Sequence, residues 1–135
     1  MTAFAKPITA LGFGAFFLCA VTCAHLDVFL MSPTSLASDW FAGLALIAGG
    51  VLSGRDWLNG RVYQLVGWSF MASLLLHSLL GNLEDLIRHN PEATGAGGLV
   101  TMAQGPYTLV VAILCAVSVI GLWTTLITMT ERTDE

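Results

Sequence analysis

The side chains best suited to chemistry lie inside or at the edges of long apolar runs. Cys19, Cys23, His25 and Asp27 fall in the first run; His77 falls in the third, ahead of Glu84, Asp85, Arg88 and His89. A charged side chain at the centre of a membrane helix costs at least about 2.5 kcal/mol, so each such residue is a functional candidate. His25 stands six residues before Met31, and His77 stands six before Leu83. At a rise of 1.5 Å per residue both imidazoles fall about 9 Å below the corresponding ends of their runs. Two histidines at one level can ligate a haem iron, or a related macrocycle, from both sides, because imidazole is a common axial ligand. Ser69 and Ser73 share the His77 stripe, since residues four apart lie on one helical face. Glu84 continues that stripe and can hold the other ring nitrogen of His77. The plainer reading of the same residues is that polar groups hold membrane helices together.

A metal centre is the second chemical reading. His25, Asp27, His77 and Glu84, with Asp85 and His89 nearby, collect toward one acidic end, and imidazole with carboxylate suits zinc and similar divalent ions. Their spacing includes no His-x-x-x-His, Glu-x-x-His or Cys-x-x-Cys. Against the metal stands a solvated helix end in which Glu84 and Arg88 form an i, i+4 pair. Cys19 and Cys23 are one turn apart, and Cys115 falls at the depth of Cys23. That layout resembles the four-helix membrane oxidoreductases that exchange disulfides with quinone. Those proteins, however, display paired cysteines near the surface, and buried thiols in apolar surroundings are inert. Asp27 sits close enough to the end of its run to reach water. The middle of every run lacks acids and bases, which argues against a simple proton-coupled exporter.

The elements that must carry these residues are plain. Four apolar segments cover 8–31, 36–53, 62–83 and 107–129, each close to the ~20 residues that a helix needs to cross ~30 Å of hydrocarbon. Lipid offers no hydrogen-bond partners, so such segments must satisfy their own backbones as helices. The chain therefore reads as all-α: a single transmembrane domain over 1–135, an integral membrane four-helix bundle running up-down-up-down. Ser32 to Ser35 forms a tight turn. The short stretch 54–61 makes the second and third helices antiparallel neighbours. The connection 82–106 is the longest. It begins as an extension of the third helix that stops before Asn90-Pro91. Its segment 99–103 is apolar enough to lie on the bilayer surface, and Gly105-Pro106 opens the last helix. On the second helix Ala45, Gly49 and Ser53 recur at helical spacing, with Gly50 and Gly54 alongside. Small residues of this kind let helix backbones approach closely, inside the chain first and across a homo-oligomer second.

Lys6, Arg55, Arg61 and Arg132 fall at one end of these helices and Arg88 at the other, so both termini are expected to be cytoplasmic. The first run resembles a signal peptide ending at Thr22-Cys23-Ala24, but it continues apolar to Met31 and reads as a retained span. Hydrophobic residues make up 56% of the chain and charged ones 10%, far from the ~25% charge of soluble domains. The net charge of −4 and the lack of a basic run exclude nucleic acid as a partner class. No phosphate loop or catalytic motif is present, so no enzymatic activity is read from the sequence.

Three functions fit these features. The first is a small accessory or assembly subunit of a larger membrane complex, bound through its helix faces and its Phe13, Phe16 and Phe17. The second is an electron-transfer subunit holding haem or a metal between His25 and His77. The third is an oligomeric transport component. The expected surroundings are the lipid bilayer, other membrane protein subunits, and a bacterial inner membrane.

Overall fold

A computed structural model describes residues 6–25, 33–55, 60–88 and 103–133. It is all-helical, with no strand among the described residues. The helices are α1 (Pro7–His25), α2 (Pro33–Gly54), α3 (Gly60–Arg88) and α4 (Gln104–Thr133). Three of them carry segments long and apolar enough to cross a membrane: Ala37–Gly54 in α2, Gly60–Arg88 in α3 and Gln104–Thr130 in α4. The apolar stretch of α1, Pro7–Cys23, is shorter. Asp27, Met31, Trp57, His89, the Asn90-Pro91 stop and the apolar segment before Ala103 lie outside the described residues.

The start of α2 differs from the sequence reading, and that of α4 agrees with it. α2 begins at Pro33, so Pro33, Thr34 and Ser35, expected in a turn, open the helix instead. Proline is suited to that place, because its fixed φ is already helical and its missing N–H would have no partner there. α4 begins at Gln104, with Gly105 and Pro106 inside its first turn for the same reason. α3 is a single helix of 29 residues, and Arg88 is its last.

Extensive packing joins each helix to its neighbour in sequence: α1 to α2, α2 to α3 and α3 to α4. The contacts run antiparallel and are set by glycine. A Cβ added at Gly14 would lie 2.9 Å from the Gly43 carbonyl oxygen, and one at Gly50 would lie 2.7 Å from the Pro7 carbonyl oxygen. Between α2 and α3, a Cβ at Gly49 would lie 2.8 Å from Gln64 Cα, and one at Gly67 would lie 2.7 Å from Leu46 N. Consecutive residues on a helix point about 100° apart, so Gly49 and Gly50 serve different neighbours. Gly50 admits α1 and Gly49 admits α3. The small-residue face of α2 is thereby occupied within the chain, with Ala45 half-buried and Gly54 exposed beside Pro7.

The core combines Ala10 and Phe17 of α1 with Ala42 and Leu46 of α2, and adds Trp68, Met71 and Leu75 of α3 and Val111 and Cys115 of α4. Trp68 is its largest fully buried side chain. Its ring meets Phe13 at 5.2 Å between centroids. On the α4 side, a Cβ at Gly121 would lie 2.6 Å from that same indole. One side chain thus ties α1, α3 and α4 together.

Candidate functional site

Polar groups inside the bundle gather along the α3–α4 contact. Thr108, Ser118, Thr124 and Thr125 of α4 are buried. Each spends its hydroxyl proton on a carbonyl of its own helix: Thr108 on Gln104 (2.8 Å), Ser118 on Leu114 (2.8 Å), and Thr124 and Thr125 on Gly121 (3.1 and 2.8 Å). Bonding of this kind satisfies a hydroxyl without a ligand. At the end where α1 begins and α4 finishes, Arg61 donates to Thr128 Oγ1 at 2.8 Å. At the far end Gln104 Nε2 donates to Asn82 Oδ1 at 2.7 Å, and Asn82 Nδ2 donates to the Ser78 carbonyl at 2.7 Å. The Tyr107 hydroxyl is hydrogen-bonded to the Ser78 side chain, with Asp39 of α2 near enough to act on it electrostatically. These two clusters pin α4 to α3 at both ends. Between them the contact adds the buried Met71, Leu75, Val111 and Cys115.

Gln64 is the exception. Its side chain is fully buried where Gly49 lets α2 close on α3, and Ser53 donates to its Oε1 at 3.2 Å. Its Nε2 has no partner, and neither has the Nε1 of Trp68 one turn further along the same face. An unmade buried hydrogen bond costs about 1–3 kcal/mol, whereas replacing the group by an apolar one of similar shape is nearly neutral. Gln64→Met is therefore expected to unfold in SDS within about 1 kcal/mol of the native chain. Gln64→Ala, which opens a void, should fall about 2 kcal/mol below it. Equal damage from both would mean that the amide has a partner essential to the fold.

The candidates singled out by sequence are not drawn together among the described residues. His77 is exposed, about half a turn around α3 from Trp68, and so faces away from the core. His25 ends α1, and its side chain, like Asp27, lies outside the described residues. Glu84 is exposed and pairs with Arg88 one turn on. No group of three or more His, Cys, Asp or Glu side chains able to hold a metal ion occurs among the described residues. Cys19 is exposed, Cys23 half-buried and Cys115 buried, and all three are free thiols. Phe13 and Phe17 belong to the core side of α1, while Phe16 faces outward.

The outward faces separate the helices sharply. On α4 the exposed side chains are apolar along the whole span, from Leu109 through Ile113, Val119 and Trp123 to Ile127. Those of α1 and α2 within their apolar stretches are apolar or small, with Cys19 the most polar. α3 differs. Ser69, Ser73 and His77 form a column on its exposed face, followed by the open Gly81 and then Glu84. Ser69 satisfies itself on the Leu65 carbonyl at 2.8 Å. This column is the candidate site: polar groups on the outside of a helix that is long and apolar enough to lie in lipid.

What fold and site define is a class, an all-helical protein with three helices fit to cross a membrane and a polar strip on the outside of one of them. No protein-family model matches the chain, and neither a curated protein nor a solved structure shows significant similarity to it.

Proposed function

We propose that this protein is a small accessory or assembly subunit of a larger membrane complex, binding through its helix faces. The observation that carries this reading is the Ser69–Ser73–His77 column on the exposed face of α3. Polar side chains on a membrane helix are better placed against another helix than against hydrocarbon, so a face of this kind is best covered by protein. The rest of the molecule agrees. Side-chain hydrogen bonds from Arg61 to Thr128 and from Gln104 to Asn82 join α3 to α4, which leaves the outward column of α3 outside the contacts within the chain.

In this reading α1 also crosses the bilayer. Its 19 residues rise about 28 Å, close to the ~30 Å hydrocarbon thickness. Lys6, Arg55, Arg61 and Arg132 share the end of the bundle where the termini lie, which favours both termini on the cytoplasmic side. A bacterial inner membrane is the setting that this compact, positive-inside layout suits.

The test is purification from native membranes in a mild detergent through a C-terminal tag. A membrane protein partner should co-purify in fixed ratio. The ratio should fall at least about fivefold in Ser73→Leu/His77→Leu, which removes roughly 1 kcal/mol of helix–helix hydrogen bonding. An unchanged ratio would place the docking face elsewhere, and the absence of any partner would end the reading. Visible absorption of the same sample, oxidised and dithionite-reduced, discriminates the cofactor alternative. A Soret band lost in His77→Ala would make the chain an electron-transfer subunit instead.

A further inference from the structure

We infer that the basic end of the bundle holds the head group of an anionic phospholipid, with the phosphate on Arg61 at the α3–α4 contact. The inference needs the helices to stand in a bilayer and does not depend on what covers the outward column of α3.

Helix packing brings basic residues to one depth. An added Cβ at Gly50 would lie 2.7 Å from the Pro7 carbonyl oxygen, so Lys6 stands level with Val51 of α2. One at Gly60 would lie 2.7 Å from Ser53 Cα, which sets Arg61 level with Leu52. Lys6 and Arg61 thus share a level to within about 2 Å, and Arg55 follows about 4.5 Å further out. Around that level, over 4–8, 49–54, 59–63 and 126–130, the chain has no Asp or Glu. On α4 the first acid, Glu131, comes three residues after Thr128, about 4.5 Å further out. Asp56 lies outside the described residues.

Arg61 is the group prepared for a ligand. It is half-buried, and its guanidinium donates to Thr128 Oγ1 at 2.8 Å. Thr128 gives its own proton to the Thr124 and Thr125 carbonyls, at 3.1 and 3.0 Å, which turns its oxygen toward the guanidinium. That bond uses one of the five N–H donors and holds the planar group in place. Phosphate matches such a fork with two parallel hydrogen bonds. A side chain already ordered also loses less freedom when it binds. Lys6 and Arg55, both exposed, add their attraction for a negative head group.

The setting selects a lipid as the source of that phosphate. One apolar span finishes at Gly54 and the next starts at Gly60, so this level is the boundary between hydrocarbon and water. Tyr63 and Trp123, both exposed, mark the same boundary. From Thr128 the outward Ile127 and Trp123 run down α4 and give acyl chains an apolar wall. At the opposite end of the bundle Arg88 is already paired with Glu84.

The experiment is native mass spectrometry of the full chain in a neutral detergent with equal amounts of phosphatidylglycerol and phosphatidylcholine. Bound phosphatidylglycerol should exceed phosphatidylcholine at least about fivefold. Arg61→Gln should abolish that preference, while Arg88→Gln, an equal change in net charge, should leave it in place. Thr128→Val keeps every charge but frees the guanidinium, and should lower the preference about threefold. Equal retention of the two lipids overturns the site, and so does equal loss in Arg61→Gln and Arg88→Gln. If Arg61→Gln fails to fold, Arg61→Lys and Thr128→Val decide: an unchanged preference in both overturns the site. Excess inorganic phosphate should leave the lipid bound; its release would make a free anion the ligand and overturn the lipid. None of these outcomes bears on partner co-purification, which tests the docking face separately.

Discussion

Gly67→Leu is expected to abolish the folded, monodisperse protein in detergent, and Gly67→Ala to lower its unfolding midpoint in SDS. Alanine adds one carbon, and that carbon would lie 2.7 Å from Leu46 N, 2.8 Å from Leu46 Cγ and 3.0 Å from Leu46 Cα. Two of those atoms belong to the α2 backbone and cannot turn aside. The helices must separate, which also loosens Gly49 against Gln64 on the same contact. Two effects compete. Alanine in place of glycine favours a helix by about 1 kcal/mol, and overpacking a tight contact costs about 1–3 kcal/mol or more. Gly12→Ala isolates the first effect, because a Cβ there meets nothing within 4 Å. Gly12→Ala should therefore equal or exceed the native chain in stability while Gly67→Ala falls about 2 kcal/mol below it. If the two variants behave alike, α2 and α3 do not touch as described.

Trp68→Ala should be the most damaging truncation in the core. Truncating a buried Phe or Trp to alanine costs about 3–5 kcal/mol in soluble proteins. In a bilayer the unfolded reference is itself apolar, so the transfer part of that cost shrinks while the packing part remains. The lower end, about 3 kcal/mol, is the expected value. Because the indole touches Phe13 of α1 and crowds Gly121 of α4, its loss should weaken three helices at once. Trp68→Phe keeps most of the volume and removes the unpartnered Nε1 donor. It should recover more than half of the deficit in SDS titrations followed by far-UV circular dichroism. Recovery of none of it would show that the indole N–H matters more than the ring.

The helices were legible in the sequence because a spanning segment must be long and apolar, and three of the four meet that condition by length and composition. Antiparallel neighbours followed from the short stretch 54–61. Exact starts were harder: Gly105-Pro106 reads as the opening of the last helix and lies in the first turn of α4, but Pro33 reads as part of a turn and instead opens α2. The sites were harder still. Depth can be counted along a helix, which is how His77 attracts notice, but direction around the axis depends on which neighbour packs where. Gln64 bears no charge, yet an amide in an apolar run is costly for the same reason that an ionisable group is, and that is its one mark in the sequence. Trp68 carried a signal of its own: it lies inside a span, away from the interfacial belt where tryptophan in membrane proteins gathers. The Asn82–Gln104 bond joins residues across the longest connection, and no local pattern announces it.

The neighbour-to-neighbour packing has a kinetic consequence. Among the described residues every extensive contact links one helix to the next along the chain, so the pairings can form in chain order. Structures dominated by contacts of short sequence separation form quickly. Synthesis proceeds from the N-terminus, so each new helix leaving the ribosome finds the surface it needs already in place. α2 can dock on α1 and α3 on α2 as they emerge. Only α4 arrives after a long delay, across the connection that follows Arg88. Until it does, Trp68 lacks the Gly121 side of its cage.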